Sequence, residues 1–223
     1  MENLPVHIVI SPELYIKNPE SSELGRRIVS TSIEMIHELG FENFTFKKLG
    51  NKIGSNESSI YRYFDNKHIL LLYLINWYWS WIEYKLVFAT HNILSPELKL
   101  KTSLELLTQK VEQDNSFLYI NEVLLNKIII AESAKAYHTK SVDEENAKGF
   151  YRIYKRVVQR VSDMVLAINS DYSYPHMLIS TVIEGAHQQH YFSEHLPSLT
   201  DCQNRNAIVV FYTDMVFKTI RKE

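Results

Sequence analysis

The sequence predicts an all-α fold, and three observations carry that prediction. Glycine and proline number only six each in 223 residues, and Gly40, Gly54, Pro96, Pro175 and Pro197 cut the chain into helix-sized pieces. Between those joints the apolar residues recur at helical rather than alternating spacing, as in Ile28, Ile33, Ile36 and Leu39. The pieces are short before about residue 66 and long after it, so a segment of small helices precedes a segment of long ones. No internal repeat or low-complexity stretch interrupts this order.

Residues 1–20 read as a partly ordered arm. Val6, Ile8 and Ile10 alternate with other residues, which permits a short extended piece, and Pro12 and Pro19 break the rest. A first helix is expected over about 21–39, with Ser22 as N-cap and Gly40 as its end. Thr45 caps a second, Phe46 to Ile53, with Phe46, Leu49 and Ile53 inward. Gly54 suits the left-handed turn that follows it. Ser55 or Asn56 caps a third, Glu57 to Phe64, with Ile60 and Phe64 inward. Asp65 or Asn66 opens a fourth, about Lys67 to Thr90. Long helices are expected over about 96–113, 116–136, 141–169, 174–195 and 203–221. Ser95-Pro96-Glu97 is a clear start signal, with proline at the first helical position. The run IVVFY at 208–212 is strand-like alone, but its flanks extend the apolar pattern past strand length.

The bulk properties exclude several classes. A chain of this length buries a sizeable core. Its formal net charge of -2 means that any nucleic-acid contact must come from a local patch. The single cysteine, Cys202, rules out an intrachain disulfide framework and a cysteine-based zinc site. No signal peptide is expected at the start, and the runs ILLLYLINWYWSWI and LLNKIIIAESA are too short or too interrupted to span a membrane. A cytoplasmic protein is the expectation.

Two short helices joined by a tight turn form a helix-turn-helix candidate. If Phe46, Leu49, Ile53, Ile60 and Phe64 pack inward, Ser55, Asn56, Ser58, Ser59, Arg62 and Tyr63 face out. In such a motif the second helix enters the major groove with its N-terminal part leading, and small polar residues there allow a close approach. Arg62 can donate a bidentate pair to guanine or hold a phosphate. Thr45, Tyr61, Tyr63 and Lys67 carry hydroxyl or ammonium groups suited to phosphate oxygens, and Lys47 adds a cation on the second helix. Residues 21–70 hold seven basic and six acidic side chains, so the charge balance is almost neutral there. Spacing alone fits equally a small helical domain whose exposed polar residues bind nothing. Glu57 is the discordant residue, since it repels phosphate at the leading end of the reading helix, although it can accept from a cytosine amino group.

The stretch Leu24 to Leu72 resembles the DNA-binding domain of TetR-family transcriptional regulators. HELGFENFTF followed by KKLGNKIGSNESSIYRYFDNKHILL carries the likeness. Thr45, the Gly54-Ser55 turn, Tyr61, Phe64, Lys67 and Leu70 fall on the family's pattern. It departs at Ser55-Asn56-Glu57-Ser58, where many members have valine and then small or basic residues. The resemblance implies an N-terminal three-helix helix-turn-helix DNA-binding domain (21–68 here) and a C-terminal helical ligand-binding and dimerisation domain (69–223). It further implies a homodimer that holds a near-palindromic double-stranded operator as a repressor, and leaves it when a small apolar or amphipathic molecule binds.

The long helices carry the remaining candidates. Trp77, Trp81 and Tyr84 share a face of the fourth helix and suit either core packing or the wall of an apolar pocket. Tyr119, Asn126, Tyr154 and His187 are further candidates for orienting a ligand. By the resemblance the last two helices form the dimer face, with Met177, Ile179, Val182, Ile183 and Ala186 on one and Val209, Val210, Tyr212, Thr213 and Phe217 on the other. His187, His190 and Glu194 raise an alternative, a metal- or substrate-handling helical enzyme, but the HExxH arrangement is missing. A helical adaptor using the tryptophan-rich helix is a third reading. No catalytic motif, cofactor loop or resident metal site is expected.

Overall fold

The computed structural model of the chain describes residues 8–114, 116–202, 204 and 206–221. It is helical throughout, with no strand among the described residues. The helices are α1 (Glu23–Leu39), α2 (Phe46–Lys52), α3 (Glu57–Tyr61), α4 (Lys67–Thr90), α5 (Pro96–Thr108), α6 (Glu122–Glu132), α7 (Ala134–Tyr137), α8 (Val142–Ala147), α9 (Arg152–Ile168), α10 (Pro175–His195) and α11 (Ala207–Thr219). Short 3-10 turns lie at Pro12–Leu14, Pro19–Ser21 and Pro197–Leu199. Two compact units emerge. One gathers residues 8–80 and 111–152, the other 81–110 and 153–221.

The caps explain most of the boundaries. Ser22 accepts from Gly25 N–H, Thr45 from Lys48, Asn56 from Ser59 and Ser95 from Leu98, each filling one of the free amides of a helix start. Asn66 does the same for α4 through Ile69 N–H at 2.9 Å. The long helices expected over 116–136 and 141–169 are each interrupted. Asn121 caps α6 through Leu124 N–H, so residues 116–120 stay outside that helix. Gly149 adopts φ +82°, a left-handed conformation that separates α8 from α9. Likewise α5 stops at Thr108, where Gln109 turns extended. IVVFY lies inside α11, as its flanks predicted.

In the first unit α1 buries Ile28, Val29, Ile33 and Ile36 against α2 and α6. Phe44, Leu49, Ile60 and Phe64 complete that core with no exposure. The start of α4 is buried on every side from Leu70 to Trp79. The arm departs from expectation over its described part, and Val6 lies outside the described residues. Ile8, Ile10, Leu14 and Pro19 are buried, and Ile16 N–H donates to the Tyr63 carbonyl at 2.8 Å. The two 3-10 turns, each started by a proline, make this possible by folding the segment back without a strand partner.

The second unit packs α5, α10 and α11 together. Ile179, Val182, Ile183 and Ala186 are fully buried within this chain, and Tyr212 nearly so. These five residues, expected at a dimer face, are spent on the unit's own core. Met177 (67% exposed) and Val210 (63%) remain outside, joined by Phe211 (58%), while Val209, Thr213 and Phe217 are partly covered. Glu83 accepts a bidentate pair from Arg156 at 2.6 and 2.5 Å, with Arg160 at 3.3 Å from the same carboxylate.

Candidate nucleic-acid interface

The helix-turn-helix is built by α2 and α3. Gly50 allows their close approach, since a Cβ there would meet the Ser55 carbonyl at 2.8 Å. Gly54 takes φ +63° in the turn, and Ser55 N–H closes it on the Gly50 carbonyl at 2.9 Å. Phe46 at the start of α2 meets the Tyr61 ring edge-on, centroids 5.1 Å apart. That packing brings the outward ends of the two helices together.

The polar residues expected on this surface divide into two groups. Lys47 and Arg62 are exposed, and neither makes a hydrogen bond or ion pair among the described residues, although the Arg62 charge acts on the neighbouring Tyr63 phenol. Thr45 is exposed and uses its oxygen as the α2 cap, which leaves its own proton free to donate. Tyr61 is 46% exposed, with its hydroxyl 3.4 Å from Glu57 Oε1. Ser55 is partly covered in the turn. Asn56 Oδ1 accepts three hydrogen bonds, from Ser59 N–H (2.9 Å), Ser58 Oγ (2.9 Å) and Ser59 Oγ (2.5 Å). Both serine hydroxyl protons are therefore turned back onto the cap, and among Asn56, Ser58 and Ser59 only the Asn56 amide N–H groups stay available as donors.

Tyr63 and Lys67 occupy different places from those expected of phosphate donors. Tyr63 is 4% exposed and its hydroxyl pairs with Ser22 Oγ at 2.8 Å. Burial alone raises that phenol, but the Ser22 hydrogen bond and the nearby Lys17 and Arg62 charges bring it below the ordinary tyrosine value. Lys67 Nζ donates to the carbonyls of Phe41, Glu42 and Phe44 at 3.0, 3.1 and 3.3 Å and lies over the Phe41 ring. An ammonium has three protons, so this one is fully engaged. Tyr63 and Lys67 position the motif. Tyr63→Phe is expected to lower unfolding free energy by about 1 kcal/mol, the usual net worth of one hydrogen bond, in a urea titration.

One positioning residue carries no signal in the sequence. Glu132, buried near the end of α6, accepts from Phe41 N–H at 2.9 Å and pairs with Lys135 at 2.7 Å. Lys135 also reaches Glu42 at 3.2 Å, and these carboxylates raise its pKa, Glu132 foremost. The link between α1 and α2 is thus held by Glu132 and by Lys67. Removing the acceptor in Glu132→Ala leaves a buried N–H unpaired, at a cost of about 1–3 kcal/mol in urea unfolding. Glu132→Gln keeps an acceptor and should lose less.

The seven pocket candidates fall in both units. Trp77, Tyr119 and Asn126 belong to the first. Trp77 is buried edge-on to Phe117 at 5.2 Å, Tyr119 donates to Glu20 Oε1 at 2.6 Å, and Asn126 donates to Tyr78 at 2.9 Å. Burial, and then Glu20, raise the Tyr119 phenol well above its ordinary value. Trp81, Tyr84, Tyr154 and His187 belong to the second. Trp81 is buried under Lys85, Tyr84 stacks on Phe88, and Tyr154 donates to Glu184 at 2.7 Å. Burial, with the charge of His190 as a smaller contribution, pushes His187 down to about 4. His190 Nε2 meets the Thr108 carbonyl at 2.9 Å, and Glu194 pairs with Lys110 at 3.3 Å. His190 and Glu194 thus take partners other than each other, and no group of three or more metal-ligating side chains is gathered among the described residues. No helix among them is long and apolar enough to cross a membrane.

Residues 28–74 match the sequence profile of the family described as bacterial regulatory proteins, tetR family. Over most of its length the fold is similar to that of AibR, solved in complex with isovaleryl coenzyme A and operator DNA. The two share 14% identity over 86% of this chain and 97% of that one, with a TM-score of 0.59. A transcriptional regulator of the TetR/AcrR family from Thermobifida fusca YX-ER1 gives 17%, 88%, 99% and 0.56. The protein described as superantigen PfiT gives 12%, 91%, 97% and 0.59. At these identities the likeness concerns the fold, which different functions can share. No curated protein sequence matches the chain.

Proposed function

We propose, from the premise that residues 28–74 are those of a TetR-family bacterial regulator, that the chain is a dimeric, ligand-responsive transcriptional repressor. Residues 21–68 bind a near-palindromic operator, and residues 69–223 bind the effector and the second protomer. The observation that carries this reading is the outward surface of α2 and α3, where Lys47, Asn56 and Arg62 are exposed and the two cations make no hydrogen bond or ion pair among the described residues. Exposed cations that make no ion pair on a helix-turn-helix suit phosphates and guanine edges. Thr45 and Tyr61 add hydroxyls at the same ends.

The second unit supports dimerisation through the outer faces of α10 and α11. Met177, Tyr191, Val210 and Phe211 expose large apolar surface there, and a cleft of about 200 Å³ lined by Leu199, Ile208 and Phe211 adjoins it. An effector releases the operator only if it binds better to the arrangement with the wrong separation of reading helices. AibR, whose structure holds both isovaleryl coenzyme A and operator DNA, supports an effector of small amphipathic type on this fold.

The test is a titration of full-length protein on DNA from upstream of its own gene, across a salt series. The expected result is a complex with two chains per duplex, whose log affinity falls linearly with log salt and which survives random competitor DNA. A titration with no complex beyond that formed on random DNA refutes the reading.

A further inference from the structure

The acidic residue at the leading end of the reading helix has a function that its charge alone argues against. Glu57 is the first residue of α3 and follows the cap residue Asn56. It has no basic partner among the described residues. Its contact is with the Tyr61 hydroxyl, at 3.4 Å on Oε1, and Oε2 has no hydrogen bond among them. Tyr61 is itself braced edge-on by Phe46. The carboxylate is therefore neither neutralised by a cation nor withdrawn into the core, and it is steered from one side by a fixed ring.

The neighbouring groups narrow what can be read here. Ser58 and Ser59 donate their hydroxyl protons to Asn56 Oδ1, and the same oxygen takes Ser59 N–H. That leaves a donor on Asn56, its amide, and an acceptor on the next residue, the free oxygen of Glu57. In the major groove a C·G pair shows the complementary set, the N4 amino donor of cytosine and the O6 and N7 acceptors of guanine. A T·A pair also presents a donor, adenine N6, but it lies between the N7 and O4 acceptors, which repel a carboxylate from both sides, whereas cytosine N4 has an acceptor on one side only. A carboxylate carried into a groove walled by phosphates loses Coulomb energy unless it gains a base contact, so the same group that weakens binding to most sequences selects one.

We infer that Glu57 is a specificity-determining residue that accepts from the N4 amino group of a cytosine, once in each half of the operator, with Tyr61 as its positioning residue. The inference rests on the proposed function, since it needs the chain to read DNA through α3. It concerns a side chain of the helix and not the attraction of a helix end for anions.

Selection from a random duplex library by full-length wild-type protein, by Glu57→Ala and by Glu57→Gln tests it, followed by affinity measurements on the selected site. The wild type should enrich a cytosine at one symmetry-related position of each half-site, and changing that cytosine to thymine should cost roughly tenfold or more in affinity per half-site. Glu57→Ala should lose the preference at that position alone while binding random DNA more tightly. Glu57→Gln, which can donate as well as accept, should tolerate other bases there. An unchanged preference in Glu57→Ala, or an affinity gain that is uniform across sequences, overturns the inference and leaves the regulator reading standing. A wild-type protein that enriches no sequence overturns both. Urea unfolding of each variant establishes that the comparison is between folded proteins, and Glu57→Gln, the smaller change, decides the matter if Glu57→Ala does not fold.

Discussion

Exchange of Lys47 and Arg62 together for alanine is expected to abolish measurable operator binding at moderate salt while leaving the fold intact. Both side chains are exposed and neither makes a hydrogen bond or ion pair among the described residues, so their removal breaks none there. An arginine bidentate to a guanine edge discriminates by about 1–3 kcal/mol, and a two-fold complex makes that pair twice, so about 2–6 kcal/mol is lost with Arg62 alone. On the proposed function Lys47 meets phosphate and should contribute mainly to the salt dependence, whose slope should fall by about one for each phosphate left unneutralised. The two single variants separate these roles. Arg62→Ala should relax base preference at one position, whereas Lys47→Ala should weaken all sequences alike. A double variant that binds the operator as tightly as wild type places the interface elsewhere.

The second large effect concerns stability and pH. His187 is buried in α10 and held at about 4 in the folded chain by desolvation and by the charge of His190. In the unfolded chain it takes its ordinary value near ~6.5. As pH falls through that window the unfolded chain binds the proton first. Stability from the neutral, buried imidazole is complete above ~6.5 and is lost progressively toward 4, amounting to about 2–3 kcal/mol between pH 7.5 and 4.5. Urea midpoints for wild type and His187→Phe across that range measure it. The variant should show a flatter acid limb by about that amount, and parallel limbs would show that His187 is not the group responsible.

Sequence reasoning reached the fold through local signals that do not depend on distant partners. Ser22, Thr45, Asn56, Asn66 and Ser95 announce helix starts because each cap is satisfied within three residues. The inward set Phe46, Leu49, Ile53, Ile60 and Phe64 is buried as its spacing required. The same reasoning overextended the helices at 116–136 and 141–169, because periodic apolar residues continued across Asn121 and Gly149. It also read residues 8–20 as loosely ordered, since the burial of Leu14 depends on partners far along the chain.

The candidate interface shows where that limit falls. Side-chain type and spacing identified Thr45, Lys47, Ser55, Asn56, Ser58, Ser59, Tyr61 and Arg62 as polar candidates, and the structure leaves Lys47 and Arg62 exposed with no hydrogen bond or ion pair among the described residues. Periodicity assigns a face and side-chain type a chemistry, but neither gives a hydrogen-bond partner, so Tyr63 and Lys67 joined the same set. Their partners, Ser22 at a separation of 41 residues and the carbonyls around Phe41 more than 20 residues away, come together only in the folded unit. Glu132 is the extreme case, a lone carboxylate after an apolar run whose partner Phe41 lies 91 residues upstream.

The sequence by itself therefore determined the all-α class, the helix-turn-helix and the outward cations, because caps, turns and apolar stripes act over a few residues. Only the tertiary structure decided which of those polar groups are exposed and which are engaged in holding the motif in place. It likewise decided that Ile179, Val182, Ile183 and Ala186 are core while Met177, Val210 and Phe211 remain at the surface. A side chain's availability is set by what the rest of the chain brings within about 3 Å of it, and local pattern does not contain that distance.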